Sequence, residues 1–286
     1  MLPGVETRSR GPASCVAPLA GVAVACVLVA CAHAHRASER SLADLASGKM
    51  VQLPGGTFML GERTGAAHDV VSYEPVGAFL LDVAEVTVAA YGECVRAGKC
   101  TPAGAAVVSE TFWPAQESWS VLCNRDRADR ADHPVNCVDW DQAAAYCAWL
   151  GKRLPSEPEW EWAARNGGAG TSYPWGNELP KDRPCWSGDG SDATPGVPRG
   201  TCAAGSHPGD ATRSGVKDLA GGVWEWSSPR TVVGADSRGR GGSPARVVRG
   251  GAWSDDDPAN LLASRRLEIV GSRRDPRLGF RCASDR

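Results

Sequence analysis

The 286-residue chain is 42% hydrophobic and 22% charged, an ordinary globular composition with room for one large domain or two small ones. Its formal net charge of −2 supplies no global field for nucleic acid or anionic lipid. Aspartates interrupt or follow the basic stretches at Arg125–Arg130 and Arg273–Arg274, as in a solvated face, so no nucleic-acid partner is expected.

The N-terminus differs in kind from the rest. Arg8 and Arg10 precede an uncharged, mostly apolar run from Cys15 to Ala30. That run is shorter than the ~20 residues a spanning helix needs, and it suits the core of a signal peptide over residues 1–30. Leu28-Val29-Ala30-Cys31 follows and resembles a bacterial lipobox, in which Cys31 is lipidated and becomes the mature N-terminus. Ala32 after it, by resemblance to lipoprotein sorting signals, directs the protein to the outer membrane, facing periplasm or exterior. Two other readings stay open: cleavage at Ala32-His33-Ala34, giving a secreted soluble protein, and a short uncleaved anchor. Residues 31–50 are Ala/Ser-rich and read as a tether.

From residue 51 to the end no second linker or low-complexity block occurs, so one domain is expected. Its 34 Gly and 20 Pro imply many turns. Strands are expected at Gly56–Met59 and Phe79–Val83. Thr87 N-caps a helix running to about Ala97, with Gly98 as its stop. Asp139 and Gln142 form a capping box for a helix over Trp140–Leu150 that ends at Gly151; Ala143, Cys147 and Leu150 share its inner face. Ser156 and Glu159 form a second capping box, with Pro158 in the first turn, for a helix reaching Arg165 or Asn166. Further strands are expected at Arg246–Arg249 and Gly279–Cys282. The whole reads as α+β with a high loop fraction.

Eleven cysteines occur. Cys15 and Cys26 lie in the signal and Cys31 is the lipidation site, which leaves Cys94, Cys100, Cys123, Cys137, Cys147, Cys185, Cys202 and Cys282. An even set in an exported chain reads as a disulfide framework. No pair has zinc-finger spacing.

Four segments carry a family resemblance. The first is Gly55-Gly56-Thr57-Phe58-Met59-Leu60-Gly61, with Leu81 to Thr87 and Tyr91 behind it. The second is His133-Pro134-Val135 through Trp140, then GKRLPSEPEWEWAAR from Gly151 to Arg165, and Tyr173-Pro174-Trp175-Gly176. The third is Asp218 to Trp226, DLAGGVWEW. The fourth is Arg249-Gly250-Gly251-Ala252-Trp253, closing with Leu278 to Cys282, LGFRC. In this order they resemble the sulfatase-modifying-factor family, to which formylglycine-generating enzymes belong, over about residues 54 to 283. The resemblance implies the loop-rich, C-type lectin-like fold of the formylglycine-generating enzyme variant. Trp160, Trp162, Trp175, Trp224, Trp226 and Trp253 each bring an apolar body with one N–H to satisfy. Arg153, Arg249 and Arg281 beside them suit the carbonyls that loops leave unpaired. Both sets read as core. The resemblance also implies a Cys147–Cys282 disulfide. Cys94–Cys100, Cys123–Cys137 and Cys185–Cys202 would complete a set, though other pairings remain open.

The chain departs from the enzymes after its fourth motif's Trp253. Their pair of closely spaced cysteines after the RGGSW-like motif binds copper(I), for which soft thiolates are the needed ligands. Here Ser254-Asp255-Asp256-Asp257-Pro258-Ala259-Asn260-Leu261 follows, with no cysteine between Cys202 and Cys282. Copper and formylglycine formation are therefore not expected. Gly222 stands where the family carries an asparagine, which leaves calcium at Glu225 as the one metal the resemblance keeps open. A three-histidine iron site from His68, His133 and His207 is not expected. The leading reading is a non-catalytic binding module for a protein or peptide, with Trp253, Asp255, Asp256, Asp257, Asn260 and Arg266 as its candidate groove and a basic ligand suited to the acidic loop. The rival is an oxidoreductase acting on a periplasmic protein with a rebuilt metal site; a third is a structural component of the envelope.

Overall fold

The computed structural model describes residues 49–61, 71–105, 117–189, 200–228 and 244–285. The signal, Cys31, most of the tether and His68 lie outside the described residues, all of which fall in one compact unit, Ala46–Arg286.

Three short helices form where local capping is complete. α1 (Val88–Arg96) starts at Thr87, whose side chain accepts from Ala90 N. α2 (Trp140–Trp149) starts at Asp139 and α3 (Glu157–Ala164) at Ser156, each with both arms of its capping box in place. Gly98 and Gly151, both at positive φ, stop α1 and α2. After α3 the left-handed Asn166 turns the chain into a 3-10 turn at Gly167–Ala169.

Among the described residues the strands form three small sheets. β1 (Met50–Leu53), β4 (Phe79–Asp82) and β9 (Ala283–Ser284) form one, in the order β1-β4-β9. Among the described residues β2 (Gly56–Leu60) pairs with β3 (Ser72–Val76) alone. The third sheet runs β7-β6-β5-β8, from β5 (Trp224–Trp226), β6 (Ala245–Arg249), β7 (Arg266–Val270) and β8 (Leu278–Gly279). Its β5–β8 pair is parallel and the rest antiparallel.

The strand expected at Gly279–Cys282 is not one strand. The chain leaves the third sheet after Gly279 and joins the first at Ala283. Between them, the Phe280 carbonyl accepts from Val86 N and the Cys282 carbonyl from Asp82 N. One segment thus stitches two sheets, which no single strand register allows. Met50, placed in the tether by composition, opens β1.

The core is aromatic and sits between sheets and helices. One cluster gathers Tyr91, Tyr146, Trp224, Trp226 and Phe280; a second gathers Phe58, Leu81, Trp160 and Trp162. The indole N–H groups find loop or side-chain acceptors: Trp162 donates to the Pro54 carbonyl and Trp226 to that of Val138. Arg281, fully buried, donates to the carbonyls of Asp82, Val83, Lys217 and Asp218. Arg249 does the same for Ala263, Ser264 and Arg265. A fold with so little regular ladder satisfies its backbone through side chains instead.

The eight described cysteines form four disulfides: Cys94–Cys100, Cys123–Cys137, Cys147–Cys282 and Cys185–Cys202. Such a framework belongs to an oxidising compartment. Among the described residues no helix is long and apolar enough to cross a membrane.

Candidate functional site

The candidate site forms where β6 ends and the chain turns twice on glycine. Arg249, the last residue of β6, is buried with its guanidinium on Glu157 (2.6 Å) and Glu161 (2.8 Å), both from α3. This network pins the turn to α3. Gly251 follows at φ +78, and a Cβ there would meet Leu261 Cδ2 at 2.5 Å and the Asn260 carbonyl at 3.0 Å. Only glycine lets the loop fold back this closely.

Within the loop Asp255 acts as an internal staple. Its carboxylate accepts from Ala252 N (2.8 Å), Trp224 Nε1 (3.1 Å) and Asn260 Nδ2 (3.1 Å). Burial raises its pKa above the usual carboxylate value, against the lowering pull of these donors. Its carbonyl accepts from Ser187 N, and Ser187 Oγ donates to the Trp253 carbonyl, which ties in the segment after Cys185. Asp257 caps the 3-10 turn Pro258–Leu261 by accepting from Ala259 N. Asp256 and Asp257 are exposed.

The six residues singled out by sequence therefore divide. Asp255 and Asn260 meet through a hydrogen bond, and Asp256 and Asp257 face solvent beside them. Trp253 is buried, donating to the Pro276 carbonyl. Arg266, on β7, is committed to Glu157 and Glu268. Sequence reasoning missed Trp224 as a partner of Asp255, because its motif reads as core, and it missed Ser187 altogether.

On the other side of the loop, the Tyr173 hydroxyl donates to the Pro258 carbonyl (3.4 Å). Tyr173 stacks on Trp175 with centroids 5.1 Å apart and planes within 3°. Both belong to a small cluster with Trp186, Ala220 and Leu261.

Behind the site lies a buried acidic group. Glu225 is fully buried, with Arg281 on both of its oxygens (2.7 Å each) and Trp160 Nε1 on one of them (2.8 Å). The cation beside this carboxylate is a guanidinium. Glu85 accepts from Val223 N (2.9 Å), and a Cβ on Gly222 would lie 2.4 Å from Glu85 Oε1. An asparagine at 222 would have to displace that carboxylate. Asp210 accepts from Asp218 N, and burial together with the Asp218 charge pushes its pKa up to about 8. Among the described residues no group of three or more His, Cys, Asp or Glu side chains is arranged to hold a metal ion. His133 instead meets Arg130 and Thr201.

Residues 37–286 match the family described as Sulfatase-modifying factor enzyme 1-like domain. The chain belongs to this family. Among its sulfatase-modifying-factor relatives is the mouse (Mus musculus) protein named inactive C-alpha-formylglycine-generating enzyme 2, 34% identical over 275 residues, with 82% of this chain and 85% of that one covered. Another is the formylglycine-generating enzyme of Thermomonospora curvata, 32% identical over 300 residues, with 86% and 96% covered. The names on this family branch thus include both an enzyme and an inactive relative. Among solved structures, PvdO from Pseudomonas aeruginosa superposes with a TM-score of 0.60 at 23% identity, covering 83% of this chain and 94% of that one. Treponema denticola variable protein 1 gives 0.58 at 21%, covering 82% and 94%. At such identities the likeness shows the fold, which is that of formylglycine-generating-type domains.

The copper(I) that family enzymes hold through two cysteines does not fit these residues. The loop offers Asp255 and Asn260, hard donors already bonded to each other. All eight described cysteines are in disulfides. Copper(I) favours soft thiolate or thioether donors over such oxygen and amide groups.

Proposed function

We propose that this family member is an envelope lipoprotein, anchored by lipid at Cys31 in the outer membrane, whose domain binds a protein or peptide and does not form formylglycine. One observation carries the binding reading: the loop after Arg249–Trp253 is closed on itself by Asp255, Asn260 and Trp224, while Asp256 and Asp257 face outward. A staple of this kind pre-organises a surface. Two exposed carboxylates suit a basic segment.

The test is titration of a fluorescent arginine-containing peptide into the mature protein, beside a D256N/D257N variant. Binding that weakens several-fold in the variant supports the reading; no binding by the parent protein sinks it. The lipid anchor is checked by the mass of the N-terminal peptide, which must carry acyl chains on Cys31.

A catalytic reading draws on the 32% identity to the Thermomonospora curvata enzyme. It requires a metal site rebuilt without thiols, and stoichiometric iron or copper in purified protein would establish it over the binding reading.

A further inference from the structure

Of the four disulfides formed by the described cysteines, Cys185–Cys202 differs from the rest in access and in what it holds. Seven of the eight described cysteines are buried, and Cys202 alone among them is partly exposed. Its bond to Cys185 closes a separation of 17 residues. The Cys202 N–H also donates to Cys185 Sγ (3.2 Å). In the Cys147–Cys282 bond, by contrast, both residues are 0% exposed.

The two cysteines belong to different parts of the loop network. The Cys185 carbonyl accepts from Gly222 N (2.9 Å). Two residues on, Ser187 N donates to the Asp255 carbonyl (3.0 Å) and Ser187 Oγ to that of Trp253 (2.9 Å). A Cβ on Gly221 would lie 2.4 Å from the Cys185 carbonyl oxygen, so that turn closes directly on Cys185. Thr201, just before Cys202, is buried on other partners. Its carbonyl accepts from Arg130 (2.7 Å) and its hydroxyl from Asn124 Nδ2 (2.8 Å). The disulfide is thus a covalent clasp between the segment bracing the loop after β6 and the Asn124–Arg130 network.

Thiol–disulfide exchange is governed by which sulfur an incoming thiolate can reach and by how well the other leaves. Cys202 is the reachable side. On Cys185 the charge develops, and a donor aimed at a sulfur stabilises the thiolate formed there. Access and leaving group therefore select the same direction of attack. The buried pairs offer an incoming thiol no such route while the domain stays folded.

We propose that Cys185–Cys202 is a thiol-exchange site, opened by a protein dithiol, whose reduction releases the brace on the loop after β6. The first thiolate of the dithiol bonds to Cys202 Sγ as the Cys185–Cys202 bond breaks, and the electron pair of that bond leaves on Cys185 Sγ. The second thiolate then displaces Cys202 from the mixed disulfide. Two electrons have passed from dithiol to protein, and the protons lost by the dithiol end on Cys185 and Cys202. With the clasp open, hydrogen bonds and the packing of Trp186 hold the Cys185–Ser187 segment without a covalent tie. The site stands whether or not the domain binds a peptide.

The experiment treats the folded mature protein with dithiothreitol, a dithiol, without denaturant. Samples are alkylated over time and read by intact mass and peptide mapping. Cys185 and Cys202 are expected to label at least about tenfold faster than the other described cysteines. Another pair opening first, or all four opening together, overturns the site. A monothiol, 2-mercaptoethanol, quenched early in acid, traps the mixed disulfide, expected on Cys202; an adduct on Cys185 overturns the direction of attack. The release is read by amide exchange of the selectively reduced protein against the oxidised one. Faster exchange at Ser187 and Gly222 with α2 amides unchanged supports it, and a Cys185→Ser/Cys202→Ser protein is expected to show the same pattern without reductant. Unchanged exchange at Ser187 and Gly222 in the reduced protein overturns the brace. Lost protection throughout α2 overturns it too, because the clasp is then a support of the whole fold.

Discussion

Arg281 and Glu225 show how much one residue pair carries when both partners are fully buried. Both Glu225 oxygens lie on the guanidinium, and Arg281 also serves four carbonyls. Replacing Arg281 by Met leaves a buried carboxylate and several carbonyls uncompensated. A loss of about 3–5 kcal/mol is expected, read as a lower denaturation midpoint in urea. Nearby, Asp210 and Glu85 have pKa values raised by burial first and by neighbouring carboxylates second, Asp210 to about 8 from an ordinary 3.8. The folded state therefore prefers the protonated acids. This stabilising preference is fully present below the unfolded pKa, near 4, and is lost as pH rises toward 8. Glu157 and Asp275 are shifted down, Glu157 against the guanidinium groups of Arg249 and Arg266, so they act only at lower pH. Melting temperature is expected to fall between pH 5 and 8, roughly by a few degrees per unit, and Asp210→Asn is expected to flatten that slope. A melting temperature that rises across the window would contradict the assignment.

At the scale of elements, helices of eight to ten residues are too short to stand alone in water. Their caps and the side chains they send inward decide whether they form. In α3 the Ser156 hydroxyl accepts from Glu159 N, and Glu159 reaches back to Ser156 N at 2.8 Å. Glu159 also holds Arg153, so the box fixes the entry of the helix as well as its first turn. Ser156→Ala is expected to cost about 1 kcal/mol, a small shift in an equilibrium unfolding curve. From the same helix Glu157 and Glu161 grip Arg249 at the head of the candidate site. Destabilising α3 is therefore expected to loosen the Gly250–Gly251 turn, seen as faster amide exchange at Ala252, whose N–H bonds Asp255.

For the whole molecule, the decisive covalent link is Cys147–Cys282, which spans 135 residues and ties α2 to the crossing segment between the sheets. In the chain-entropy treatment a loop of that length is worth about 5 kcal/mol. A Cys147→Ala/Cys282→Ala protein is expected to lose that order of stability. The Cys94–Cys100 pair, with a separation of 6, closes a far shorter loop, and its removal is expected to cost less in the same denaturation assay. Intact mass after alkylation, with and without reduction, counts the thiols directly. Full protection of all eight agrees with the four disulfides, and two free thiols that bind copper(I) would reopen oxidation chemistry.

Local sequence determined the helices, because a cap and its partner lie three residues apart and no distant group decides whether Asp139 meets Gln142. The four motifs determined the family and, through it, the fold. The loss of thiols after Trp253 was equally plain from the residues alone. The tertiary structure decided what the motifs are for. Arg281 meets Glu225 across 56 residues and Arg266 meets Glu157 across 109, and such partners leave no trace in local spacing. It also decided the fate of the acidic loop. Three consecutive aspartates look alike in sequence, yet one is turned inward onto Trp224 and Asn260 while two remain in solvent. Burial, which only packing creates, makes that difference.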